Sequence, residues 1–208
     1  MAEISLKNCP SDHEIYLWRL EENLSELEHI FRNECHSADA LQLPKPAKRR
    51  METMAELLLL KRHGYAELLH EEDGAPRLLD SAKQISISHC RGYVLVCLSD
   101  KPVGADIETW GDRAWKIRER FLSEKEMAFT ETEENEKTAL LLWCAKEAAF
   151  KYFRETDTFL TSISLSLFHK VSSSPIDATI HAISVHGKRV SLRLKEFQEF
   201  AFAITEAR

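Results

Sequence analysis

From Glu134 to Phe153 the chain runs without a glycine or a proline. That composition predicts one long helix, because neither helix breaker interrupts the backbone ladder. After it, apolar and polar residues alternate near Ser162–Phe168, Ala178–Val185, Arg189–Leu194 and Glu199–Thr205. Period-two alternation is the mark of a half-buried strand, so a helix is followed by a run of antiparallel strands. The first half has a similar order. Glu14–Leu20 alternates like a strand, Glu22–Arg32 and Ala47–Arg62 have helical composition, and Ile85, Ile87, Val94, Val96 and Leu98 recover period two around a tight Arg91-Gly92 turn. Ser99-Asp100-Lys101-Pro102 is a second turn, and Val103–Glu108 is expected to continue the meander as its third strand. Helices followed by meanders, twice, predict an α+β fold.

Composition narrows the functional classes. With 28 Lys and Arg against 34 Asp and Glu, the net charge is −6, a poor balance for a nucleic-acid binder. Two local basic patches stand out: Lys45, Lys48, Arg49, Arg50, and Arg113, Lys116, Arg118, Arg120. Either is a solvated helix face or a surface for an anionic partner. The longest early apolar run, Leu57–Leu60, stops at Lys61, far short of the roughly 20 residues that cross a bilayer. The start of the chain lacks the apolar segment of a secretory signal, and a cytoplasmic location is expected. Five cysteines, odd in number and without a Cys-x-x-Cys pair, argue for reduced core thiols over disulfides or a thiolate zinc site.

Three short runs carry chemistry. In Gly104-Ala105-Asp106-Ile107-Glu108, strand alternation puts the carboxylates of Asp106 and Glu108 on one face. Such a pair is a solvated strand end, or it gathers a hard cation such as Mg2+, which prefers oxygen ligands. In the long helix, Trp143, Glu147 and Lys151 are spaced by four and share a face. A surface Glu–Lys pair would leave the large aromatic unexplained, whereas a buried stripe needs partners for its charges. In Ile85-Ser86-Ile87-Ser88-His89, the histidine closes a strand where it either satisfies the structure or donates to a phosphate. Ser123 followed by Glu126 resembles a capping box opening a further helix.

In order, spacing and residue type these runs resemble the 4′-phosphopantetheinyl transferase superfamily, in its longer single-chain type. The family pattern is a Ser-x-Ser-His strand, Gly-x-Asp-x-Glu, an Arg-Phe-Phe-Ser segment with a following glutamate, and Trp-x-x-Lys-Glu-Ala-x-x-Lys. Here these are Ser86–His89, Gly104–Glu108, Arg120-Phe121-Leu122-Ser123 with Glu126, and Trp143–Lys151. The resemblance spans about Arg49 to Lys151.

It implies two similar α+β lobes with pseudo-two-fold symmetry and antiparallel sheets packed with helices. The N-terminal lobe, 1–103, would contact coenzyme A. The C-terminal lobe, 104–208, would carry the metal and catalytic residues, with the site in the cleft between. It further implies that phosphopantetheine passes from coenzyme A to a serine of an acidic acyl, peptidyl or aryl carrier protein, releasing adenosine 3′,5′-bisphosphate. Asp106, Glu108 and Glu147 would bind Mg2+; Glu147 or a water would be the base, Lys151 would meet the departing phosphate, and Lys146 would assist. Ser88 and His89 would touch coenzyme A phosphates, and Arg49 would meet the 3′-phosphate, with Arg50 the competing candidate. Two positions depart from the pattern: Ala75 stands where many relatives carry a lysine, leaving Arg77 to compensate, and Cys90 replaces a frequent serine. The protein is expected to be a monomer that uses neither nucleic acid nor membrane. The alternative is a non-catalytic relative that binds coenzyme A or a carrier in a regulatory role; a metal-dependent phosphate hydrolase is a second rival.

Overall fold

The computed structural model describes residues 3–4, 13–35, 43–65, 68–131, 134–154, 163–166 and 177–206. They belong to two compact units, 1–101 and 102–208. Helices and antiparallel sheets make up both, so the fold is α+β.

The first unit contains β1 (Glu3–Ile4), β2 (His13–Arg19), α1 (Leu24–Glu34), α2 (Ala47–Arg62), β3 (Leu68–His70), β4 (Pro76–Leu78), β5 (Gln84–Cys90) and β6 (Tyr93–Ser99). Its main sheet has the order β1-β2-β6-β5, with every neighbour antiparallel. The β5–β6 turn is Arg91-Gly92, and Gly92 has φ +80°, a left-handed backbone that glycine adopts without strain. β6 is buried along its whole length, which explains its continuous apolar reading, Tyr93–Leu98. Helices α1 and α2 cover the sheet, placing Leu27, Phe31, Met54 and Leu58 against Trp18, Val94, Val96 and Leu98. Helix α1 begins with a capping box in which Asn23 accepts from the Glu26 N–H and Glu26 accepts from the Asn23 N–H. β3 and β4 form a separate hairpin around the turn at Glu71–Ala75.

The second unit contains β7 (Ala105–Thr109), α3 (Arg113–Lys116), α4 (Glu124–Met127), α5 (Asn135–Phe153), β8 (Ile163–Ser166), β9 (Asp177–Ser184), β10 (Arg189–Glu196) and β11 (Phe200–Thr205). Its sheet order is β7-β11-β10-β9-β8. Helix α5 lies across all five strands and brings Ala145, Ala148 and Ala149, each fully buried, to the interface. Alanines let helix and sheet backbones come close.

One expectation is corrected here. Val103–Glu108 does not continue the β5–β6 meander. β7 pairs instead with β11, Asp106 opposite Ala203 and Glu108 opposite Ala201. The four residues from Ser99 to Pro102 are more than a two-residue hairpin needs, and β6 already has β2 and β5 on its two edges. The strand foreseen near Ser162–Phe168 is described over Ile163–Ser166; its ends lie outside the described residues. Cys35, Cys90, Cys97 and Cys144 are buried thiols, while Cys9 lies outside the described residues. No helix is long and apolar enough to cross a membrane among the described residues.

Candidate active site

The second unit gathers the residues of two of the runs. Asp106 and Glu108 share a face of β7, and helix α5 covers that face. Lys151 Nζ lies 2.8 Å from Asp106 Oδ1 and donates to the Ala105 carbonyl at 3.2 Å. Trp143 Nε1 donates to Glu108 Oε1 at 3.2 Å. Trp143 and Lys151 therefore bracket the pair from opposite ends of one helical stripe, with Glu147 between them. Phe121, from the Arg-Phe-Leu-Ser segment and 1% exposed, meets Trp143 edge to face, with centroids 4.9 Å apart at 86°. That contact holds the indole toward Glu108.

The electrostatics are those of crowded anions. Burial, and then the Asp106 charge, push the Glu108 carboxyl up to about 7; Glu147 adds to the rise, while the Trp143 bond and Arg113 oppose it. Burial and Asp106 also raise Glu147, with Lys151 pulling the other way. A site where each carboxylate penalises the next is short of positive charge. Hard carboxylate oxygens are the donors that magnesium prefers, so the donor chemistry fits that ion. Among the described residues no three such side chains are gathered to coordination distance; Lys151 is the cation on Asp106.

Gly104 makes the approach of α5 to β7 possible. A Cβ there would stand 2.0 Å from the Ala148 carbonyl oxygen and 2.8 Å from the Tyr152 nitrogen. The residue is tied at both ends, its N–H donating to Thr205 Oγ1 at 3.0 Å and its carbonyl accepting from the Thr205 N–H at 2.9 Å.

Lys146 takes another direction. One residue along a helix turns about 100°, and that turn carries Lys146 off the Trp143–Glu147–Lys151 stripe. It is fully buried, and its Nζ lies 2.8 Å from Glu126 Oε2. Burial lowers its pKa, and Glu126 opposes that shift. Glu126 is a hub. It closes the α4 capping box by accepting from the Ser123 N–H, and its other oxygen accepts from the Leu165 N–H of β8, both at 2.7 Å. Glu126→Ala leaves a buried ammonium and two backbone donors without that acceptor, so it should cost about 3–5 kcal/mol in urea unfolding. Lys146→Met should cost less, because Glu126 keeps its two backbone donors.

The first unit brings together Arg49, His89 and a residue the sequence reading passed over, Glu56. Arg49 Nη1 is 3.1 Å from Glu56 Oε1, and His89 Nε2 contacts the same oxygen. The rival Arg50 turns to Glu28 on α1, 2.8 Å away. Arg77 is exposed and pairs with Glu71 in its own hairpin at 3.7 Å. Ser88 is buried and, being next to His89 on a strand, projects to the opposite face of β5. The structure thus groups Arg49 with His89, and not with Arg50, Arg77 or Ser88. A cavity of about 530 Å³ lies elsewhere, lined by Trp110, Glu134, Lys137 and Glu196.

The sequence model of the 4′-phosphopantetheinyl transferase superfamily matches residues 102–205, half of the 208-residue chain. The match covers β7 and α5, the two elements that hold the carboxylates. No curated protein matches the chain significantly.

Proposed function

Because the chain belongs to the 4′-phosphopantetheinyl transferase superfamily, we propose that it transfers phosphopantetheine from coenzyme A to a serine of an acyl, peptidyl or aryl carrier protein. One observation carries this reading: the Trp143–Glu147–Lys151 stripe of α5 meets Asp106 and Glu108 of β7. In the same proposal, residues of 1–103 contact coenzyme A and those of 104–208 hold the metal and do the chemistry.

Asp106, Glu108 and Glu147 would hold Mg2+, which when bound supplies positive charge to the pyrophosphate of coenzyme A. The serine oxygen forms a bond to the β-phosphorus as the bond to the adenosine 3′,5′-bisphosphate oxygen breaks. The hydroxyl proton passes to Glu147 or to a water beside it. Lys151, one turn further along the helix, offsets charge on the departing phosphate. Lys146 acts through Glu126, fixing the helix that carries its neighbour. Arg49 and His89 meet the 3′-phosphate; Arg50 is engaged by Glu28.

The test is apo carrier incubated with coenzyme A and Mg2+. The expected result is a carrier mass increased by one phosphopantetheine moiety, lost when EDTA is added. Coenzyme A binding without a mass gain on any of a panel of carriers would favour the non-catalytic alternative. Release of product from coenzyme A without a carrier would favour a hydrolase.

The second basic patch fits an acidic carrier. Lys116 pairs with Asp112 at 2.6 Å, and Arg118 stacks on Trp115 at 3.8 Å, so their charges are partly engaged at home. Arg113 and Arg120 are exposed. Reversing Arg113 and Lys116 to Glu should raise the carrier KM about ten-fold at low salt, with the difference shrinking as salt is added. An unchanged carrier KM would remove the patch from the docking surface.

A further inference from the structure

Glu56 is a carboxylate in a place where an apolar side chain would cost less. It projects from α2 with 1% of its side chain exposed, beside Ala55, Leu58 and Leu59, all fully buried. A buried charge is tolerated only with close partners of opposite sign, and a hydrophobic replacement of similar volume is often as stable. Glu56 nevertheless holds two groups through one oxygen: Arg49 Nη1 at 3.1 Å and His89 Nε2 in closer contact. Its other oxygen, Oε2, is buried and lacks a hydrogen-bond partner among the described residues. Helix packing does not call for this arrangement.

What the carboxylate does is fix the two groups above it. A carboxylate on Nε2 settles which ring nitrogen carries the proton and how the imidazole is turned, as in sites where an acid orients a histidine. Arg49 Nη1 lies 3.3 Å from Nδ1 and 3.2 Å from Nε2 of the same ring. Near-equal distances place that nitrogen across the ring, not at one edge of it. Glu52 adds a second hold on the guanidinium, its Oε2 3.5 Å from Nη1. The histidine still exposes 20% of its side chain and the arginine 41%. Both therefore remain open to a ligand, while Glu56 is shut away beneath them.

We propose that Glu56 is a positioning residue that presents Arg49 and His89 as one clamp for the 3′-phosphate of coenzyme A, so that it sets the preference for coenzyme A over dephospho-coenzyme A. This rests on the reading that Arg49 and His89 meet that phosphate. It does not need the transfer step, and it is tested by binding alone.

The experiment is titration calorimetry of the full chain with coenzyme A and with dephospho-coenzyme A, for the wild type, Glu56→Gln and Glu56→Asp. Glutamine keeps the volume and removes the charge. The expected result is a fall of about ten-fold in the ratio of the two affinities for Glu56→Gln, the loss of roughly one charge-assisted contact. Glu56→Asp, which restores the charge on a shorter arm, should recover part of the ratio. In a His89→Gln background, Glu56→Gln should add little, because residues acting through one another are not additive. A ratio that is unchanged or rises in Glu56→Gln would overturn the proposal, as would full additivity with His89→Gln. A thermal melt of each variant separates these results from unfolding, and Glu56→Asp carries the test if Glu56→Gln does not fold. A wild type that binds both ligands equally would overturn the 3′-phosphate assignment as well. A carrier that gains no mass would overturn only the transfer reading.

Discussion

Glu147→Gln should lower carrier modification by at least about a thousand-fold, some 4 kcal/mol of transition-state stabilisation, and should make the metal-free protein more stable. The two effects share a cause. Burial and the Asp106 charge raise the Glu147 carboxyl above its ordinary value, with Lys151 only partly opposing them. A raised carboxylate is one whose charge the fold penalises, so the isosteric neutral amide removes a cost. The melting temperature without metal should rise by about 2–4 °C, the shift that 1 kcal/mol gives a chain of this size. Magnesium should then separate the proteins. In the wild type a saturating ion, at about a hundred times its Kd, adds roughly 2.7 kcal/mol by mass action; in the variant this gain should largely vanish. Melts with and without Mg2+, alongside the carrier mass assay, read both halves. Transfer at the wild-type rate would remove Glu147 from the site. A lower melting temperature would show that its charge supports the fold, contrary to the crowding around Asp106.

Such a trade is expected where binding chemistry overrides local packing, and it explains which parts of the site could be read from residues alone. Asp106 and Glu108 share a face because strands alternate, and Trp143, Glu147 and Lys151 share one because helices turn every 3.6 residues. Those relations are local, so spacing reveals them. That the two faces meet is a tertiary fact, foreseen only through family resemblance. The partner of β7 is equally non-local. Residues 99–102 mark a turn but do not say that the next strand joins β11, about a hundred residues on. Glu126 was legible as a cap, since its partner Ser123 is three residues away. Its bond to Lys146, twenty residues on, was not; Lys146 entered the reading through the family pattern, as the lysine that precedes Glu147. Glu56 gave no signal, being one glutamate in a helix rich in charge; its meaning depends on His89, thirty-three residues later.

Gly104→Ala is the sharpest case of a residue whose role depends on what lies above it. By propensity the change should help. Alanine restricts the unfolded chain more than glycine does, a gain of about 0.4–1 kcal/mol where the native backbone accepts it. The surroundings decide otherwise. The new methyl would stand 2.0 Å from the Ala148 carbonyl oxygen and 2.8 Å from the Tyr152 nitrogen, well inside van der Waals contact. Both obstacles are backbone atoms of α5, so no side-chain rotation relieves them, and trimming Ala148 to glycine should not rescue the variant. The helix must instead withdraw from β7, or the strand must leave Thr205, which holds Gly104 through two hydrogen bonds. Overpacking of this kind costs about 1–3 kcal/mol and sometimes more. The same movement draws Lys151 from Asp106 and Trp143 from Glu108, and a displacement of about 1 Å in a reacting group can cost a hundred-fold in rate. Gly104→Ala should therefore lose stability in urea and, even in the fraction that folds at low temperature, most of its transfer activity. Wild-type values for both would mean that α5 and β7 do not approach as closely as the carboxylate site requires.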